Sequence, residues 1–187
     1  MDAFSYLSVL ISLILGLAIT QVLKGFRGLM HARPRTKIYW PTLIWAALII
    51  IVAVQSWWSM FGLRERLDWT FLEFSAVLAQ TIVTYLLAAL VLPDIAADAA
   101  IDLREHYYNH RRWFFSLLVA LLVISVLKQY VLVHHLQEPM DLGFHGLFAA
   151  TSIVSIVVAR PRWHEFGAVL AIILIGAYIA LLFGHLH

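Results

Sequence analysis

Six apolar runs, each about as long as a bilayer is thick, leave this chain of 187 residues few folds to choose from. They span Phe4 to Leu23, Ile38 to Leu63, Trp69 to Leu92, Trp113 to His134, Asp141 to Ala159 and Trp163 to Phe183. A helix crossing the hydrocarbon core needs roughly 20 such residues. The runs are too long for transmembrane strands and show no period-two alternation. Hydrophobic residues make up 63% of the chain and charged ones 13%. A soluble domain of this length has no interior large enough for so much apolar surface, so lipid is the solvent. The expectation is all-α: one integral membrane domain of six transmembrane helices occupying residues 1–187.

Charge gives the orientation. Of the 13 Lys and Arg, ten fall at alternate connections: Lys24, Arg27, Arg33, Arg35 and Lys37, then Arg104, Arg111 and Arg112, then Arg160 and Arg162. Arg64, Arg66 and Lys128 fall at the other end. Cytoplasmic loops carry the excess of cations, so both termini are expected outside the cytoplasm. Tryptophans agree independently: Trp40, Trp113 and Trp163 mark one boundary, and Trp57, Trp58 and Trp69 the other, where amphipathic rings prefer the headgroup level. The start, Met1-Asp2-Ala3-Phe4, lacks a positive n-region and a small-residue cleavage site, so the first run reads as a retained span. No basic stripe extends beyond the membrane edge, so nucleic acid is not an expected partner. Without cysteines the chain has no disulfide, no Cys-ligated metal and no thiol catalysis. Ile19 to Lys24 loosely echoes Ile124 to Lys128, a trace too short to establish the inverted repeat of many transporters.

Within the spans, Ser5, Ser8, Ser12, Gly16 and Thr20, and again Gly176, Ala180 and Gly184, recur at steps of three or four. Small residues so spaced read as close helix packing rather than a pore lining. Glu73, Ala76, Gln80, Thr84 and Ala88 form a more polar stripe on the third span. Glu73, Lys128 and His145 lie at similar depth near the non-cytoplasmic boundary, with Gln55 at comparable depth and Asp141 one turn above His145. A charge in hydrocarbon costs at least about 2.5 kcal/mol, so such groups pair or line a wet cavity. The expectation is a Glu73–Lys128 pair with His145 in reach, and a candidate intramembrane polar site made of Glu73, Lys128, His145, Gln55 and Gln80. The competing reading has Lys128 snorkelling and Glu73 at headgroup level.

On the cytoplasmic side Asp94, Asp98, Asp102, His106 and His110 recur every four residues. A step of four drifts round a helix, so at most a triple converges, and Asp102, His106 and His110 are the candidate ligands for a divalent metal. They are expected on a polar helix continuous with the fourth span, since no Gly or Pro intervenes. The alternative is a solvated extension near the headgroups. His31, His164 and Glu165 are further ligands if the loops meet. No phosphate-binding loop, His-Glu-x-x-His or nucleophile elbow occurs, so no catalytic residue and no organic cofactor is assigned. Only His145 is clearly inside a span, against bis-histidine haem, and the sixth span has no lysine, against retinal.

The stretches Tyr6-Leu7-Ser8-Val9-Leu10-Ile11-Ser12 and Asp102-Leu103-Arg104-Glu105-His106-Tyr107-Tyr108-Asn109-His110-Arg111-Arg112-Trp113-Phe114-Phe115 resemble those of short, uncharacterised bacterial multi-pass proteins. The resemblance implies a bacterial inner-membrane protein and carries over no activity. Three functions fit: an ion or small-solute transporter or channel with its site in the outer half of the bundle, an accessory or scaffold subunit of a larger membrane complex, and a membrane enzyme with a cytoplasmic-side Asp/His site. The expected partners are membrane lipid and either further copies of the chain or a larger complex.

Overall fold

A computed structural model describes residues 3–64, 66, 68–94, 100–135 and 137–182. Six helices are long and apolar enough to cross a membrane: α1 (Ala3–His31), α2 (Trp40–Ser59), α3 (Phe71–Val91), α4 (Leu103–Val133), α5 (Pro139–Val157) and α6 (Pro161–Leu182). Asp98, Phe183, Gly184 and the extreme termini lie outside the described residues.

Local chemistry sets the helix ends. Pro41 takes the second position of α2, and Pro139 and Pro161 open α5 and α6. Both of the latter sit where a helix needs no N–H donor and the ring presets φ. Thr70 and Glu73 form a reciprocal capping box at the start of α3. Asp102 caps α4, its Oδ1 accepting from the amides of Arg104 and Glu105 at 3.0 and 3.1 Å. The helix therefore begins ten residues before the apolar run and carries His106 and His110 unbroken into the span. His134 ends it in the left-handed region at φ 57°. At the arginine-rich end α1 continues past Leu23 to His31, and at the opposite end α2 stops at Ser59, followed by a 3-10 turn at Met60–Leu63. A two-residue parallel pairing joins the connections, Thr36 to Ile101 and Lys37 to Asp102.

Successive helices run in opposite directions. One end of the bundle gathers the arginine-rich connections and the other the turn with Arg64 and Arg66. Around the bundle, α2 packs on α3, α3 on α4, α4 on α5, α5 on α6 and α6 back on α2. These five close a ring, and α1 buttresses it against α2 and α3. Leu7, Ile11, Leu15, Ala18 and Val22 form the buried face of α1. Lipid-facing positions are as apolar as the core: Leu13, Leu17, Phe71, Trp113 and Val157 are all exposed. Lipid leaves no hydrophobic gain for pushing such residues inward, so shape and polar partners decide packing.

The small-residue stripes are placed differently from the expectation. Ser12, Gly16 and Thr20 of α1 and Gly176 and Ala180 of α6 are exposed, and a Cβ at Gly16 or Gly176 would meet nothing within 4 Å. Their hydroxyls stay satisfied locally, Thr20 donating to the Gly16 carbonyl at 2.7 Å and Ser12 accepting from the Trp57 indole at 3.1 Å. The close approach occurs at Gly25, where a Cβ would stand 2.7 Å from Cβ of Leu92. Gly25→Val should therefore lower stability by roughly 1–3 kcal/mol through overpacking. Gly16→Ala should be neutral or slightly stabilising, because only the helix-propensity gain remains. Thermal unfolding of the two purified variants checks the contrast.

Candidate functional site

A cavity of about 310 Å³ occupies the centre of the five-helix ring. Every ring helix contributes to its wall and α1 does not. Along α2 it reaches from Trp45 to Ser59, about 21 Å at 1.5 Å per residue. Its character changes along that length. Toward the arginine-rich end the wall is Trp45, Leu48, Leu118, Leu121 and Phe148. Toward the opposite end it is Gln55, Ser125, Lys128, Gln129, Asp141, His145 and Tyr178.

Four of the five residues expected in an intramembrane polar site line this cavity: Gln55 from α2, Gln80 from α3, Lys128 from α4 and His145 from α5. Asp141, one turn from His145, lines it too, and its Oδ1 lies 3.0 Å from His145 Nδ1. The same ring nitrogen is 3.0 Å from the Asp141 carbonyl, which only accepts, so Nδ1 carries a proton. Nε2 is 3.3 Å from the Ser125 hydroxyl on α4. The Tyr178 hydroxyl of α6 reaches the Asp141 carboxyl. Thus α4, α5 and α6 meet in one polar cluster. Lys128 lies beside it, with Asp141 as its electrostatic partner, and among the described residues it makes no ion pair or hydrogen bond.

Glu73 is not part of this site, and the expected Glu73–Lys128 pair does not form. The Glu73 side chain is buried and paired with Arg66, seven residues earlier in the connecting turn. Its other oxygen accepts from the Thr70 amide at 2.7 Å and the Thr70 hydroxyl at 2.9 Å. Arg66 also donates to the Leu132 carbonyl at 2.7 Å and to the Asp68 carbonyl at 3.1 Å, and lies over the Trp69 ring. The guanidinium thus ties the α2–α3 turn to the last turn of α4. A nearby fork of five donors outcompetes a lysine on another helix. The sequence held the signal: Thr70-x-x-Glu73 is a capping-box pattern, which commits Glu73 to its own helix start.

The proposed metal triple does not converge either. Asp102 spends Oδ1 on helix amides, and Oδ2 lies 3.5 Å from Lys37 Nζ. The Glu105 and Arg104 amides and then the Lys37 ammonium hold this carboxyl below its ordinary range. His106 donates to the Leu90 carbonyl at 3.1 Å, and His110 to the His106 carbonyl at 2.9 Å, with the rings stacked 4.4 Å apart. Among the described residues no three His, Asp or Glu gather in a metal-binding group. His31 bonds the Arg27 carbonyl of its own helix at 2.8 Å. His164 is instead fully buried: Nε2 donates to the Val158 carbonyl at 2.8 Å, so Nδ1 accepts from the Tyr107 hydroxyl at 2.9 Å. Tyr39, whose phenol is pushed up by burial and by the Tyr108 hydroxyl, completes this aromatic knot at the arginine-rich end.

Trp45 closes the cavity on that side. It is buried edge-on against Phe114 and Phe115, with both centroids at 5.4 Å, and its indole nitrogen is buried without a hydrogen-bond partner among the described residues. On its far face a void of about 10 Å³ touches His106, Tyr107 and His110. Sequence reasoning missed Trp45, Tyr178, Ser125 and Gln129 as members of the site. Ser125, Lys128, Gln129 and Leu132 share one helix face, which is a readable signal. Tyr178 stands alone in an apolar span and becomes legible only in three dimensions.

The fold and this site define a multi-pass membrane protein with a polar-headed cavity inside its helix ring. Comparison with known proteins finds no matching family model, no matching curated protein and no matching solved structure.

The Arg66 tie predicts a double-mutant result. Arg66→Met strands a buried carboxylate and should cost about 3–5 kcal/mol, and adding Glu73→Gln should recover much of it. Lys128→Met combined with Glu73→Gln should be additive. Denaturation of the four variants in one detergent checks both.

Proposed function

We propose that this chain is a small-solute transporter of a bacterial inner membrane, with both termini outside the cytoplasm and its solute site in the central cavity. The observation that carries the reading is a cavity within the membrane-spanning ring into which Lys128, Asp141 and His145 all project. Ionisable groups are costly at this depth and persist where they bind or relay. A scaffold subunit needs a dry bundle and has no use for such a cavity. Charge asymmetry and the two tryptophan belts support the orientation and put the polar end of the cavity toward the outside.

In this reading the solute enters from the outer face, meets Lys128 and the Asp141–His145 pair, and rests between Gln55 and Gln80. Trp45 is the barrier on the cytoplasmic side, packed on Phe114, Phe115 and Phe148. Alternating access then requires that this aromatic contact open while the outer end closes.

The chain has no cysteine, so single cysteines report cleanly on access. A membrane-impermeant thiol reagent should label Ser59→Cys and Gln129→Cys from outside. Adding Trp45→Ala should let the same reagent, applied from the cytoplasmic side, reach Gln129→Cys at least about tenfold faster. Absence of labelling from either side overturns the transporter reading and leaves the accessory-subunit reading in its place. Labelling of the Trp45-intact variants from the cytoplasmic side alone overturns the orientation.

A further inference from the structure

The cavity is sized and divided in a way that specifies its ligand. A dry cavity of about 150 Å³ accepts one benzene ring, so 310 Å³ holds a ligand of about a dozen non-hydrogen atoms. A two-chain lipid is several times larger. One part of the wall offers only side chains without polar heads, apart from the indole of Trp45: Leu48, Leu118, Leu121 and Phe148. The other part offers charges, amides and hydroxyls. From Trp45 to Gln55 the two parts are separated by ten residues of α2, about 15 Å. A compact polar solute would leave the apolar part unfilled, and a wholly apolar one would strip water from Lys128 without replacing it.

The sign of the head group follows from which charged side chain has neither hydrogen bond nor ion pair. Asp141 Oδ1 lies within ion-pair distance of His145 Nδ1, at 3.0 Å, without making a hydrogen bond to it, and the Tyr178 hydroxyl reaches the same carboxyl. Lys128 has no ion pair or hydrogen bond among the described residues, although it sits in the wall of the cavity. Asp141 on the facing helix lies close enough to act on it through space. Glu73, the other carboxylate at this end, is consumed by Arg66. Lys128 is therefore the charged group of this cavity left with neither hydrogen bond nor ion pair among the described residues, and an anionic head supplies both.

We propose that the cavity takes a single-tailed anionic amphiphile of about a dozen non-hydrogen atoms, its head on the Lys128 ammonium and its apolar body along Leu118, Leu121, Phe148 and Trp45. The head is a carboxylate or a comparably small anion, and the Gln129 amide supplies a hydrogen bond beside Lys128. This inference rests on the reading of the cavity as a solute site and names the solute class.

The test uses the full chain in nanodiscs of uncharged zwitterionic lipid, so that no anionic lipid competes. Saturable binding of radiolabelled decanoate is measured against empty discs at neutral pH, with decan-1-ol, decyltrimethylammonium and inorganic phosphate as competitors. The expected result is saturable decanoate binding, weak competition by the alcohol, and none by phosphate or the cation. Lys128→Met should weaken decanoate binding at least about tenfold and leave binding of labelled decanol unchanged. Leu118→Gln, which places an amide in the apolar part, should weaken both. Equal decanoate affinity in the parent chain and Lys128→Met overturns the proposal, as does equal competition by the cationic amphiphile. Decanoate binding no greater than to empty discs, with Ser59→Cys still labelled from outside, overturns the amphiphile and spares the solute site. The same result with Ser59→Cys inaccessible overturns both.

Discussion

In hydrocarbon a polar group has only the protein to turn to, and the arrangement of this bundle follows from how each group meets that demand. Backbone groups are satisfied within the six helices, and hydroxyls on the spans donate back one turn, as Thr81 does to Val77 and Ser152 to Phe148. Side chains with a charge cannot do this. Glu73 solves the problem inside its own helix start with Arg66 and Thr70. Asp141, His145 and Tyr178 gather across two helices, and Lys128 faces the space they enclose. The ring from α2 to α6 is the geometry that lets these groups meet, so the cavity is a consequence of closing the ring around them.

The two ends of the bundle use different chemistry. At the arginine-rich end, interlocking rings make a dry plug: Tyr39, Tyr107, Phe115 and His164 pack edge to face, and His164 has both nitrogens engaged. Aromatic pairs of this kind add roughly 0.5–1.5 kcal/mol each beyond the area they bury. At the other end α4, α5 and the α2–α3 turn are joined by polar contacts, with Arg66 on the Leu132 carbonyl as the main tie.

The site residues divide by whether their partners are near in sequence. His106 and His110 have a spacing that suits a shared metal, yet each donates to a backbone carbonyl, and Asp102 is taken by the amides it caps. Spacing shows which side chains share a face, and it does not show which acceptor lies opposite. Glu73 was misassigned for the same reason in reverse: matched depth suggested Lys128, whereas the competing partner was seven residues away. Short-range chemistry forms with little loss of chain entropy, so it takes precedence over a long-range pair of equal strength.

Hydropathy by itself determined six membrane-spanning helices, because the bilayer imposes one length and one polarity on anything that crosses it. Prolines and capping residues in the sequence set the starts of α3, α4, α5 and α6 to within a turn or two. Depth in the span also identified Gln55, Lys128 and His145 as one layer, and the polar stripe of the third span pointed to Gln80. Tertiary structure alone decided which helices are neighbours, that α1 stands outside the ring, and that Glu73 turns away from the layer. It alone brought Trp45 and Tyr178 to opposite parts of one cavity. The reason is physical: in lipid every helix face is nearly as apolar as every other, so periodicity no longer marks the inside, and the closing of the ring is settled by packing and a few polar contacts.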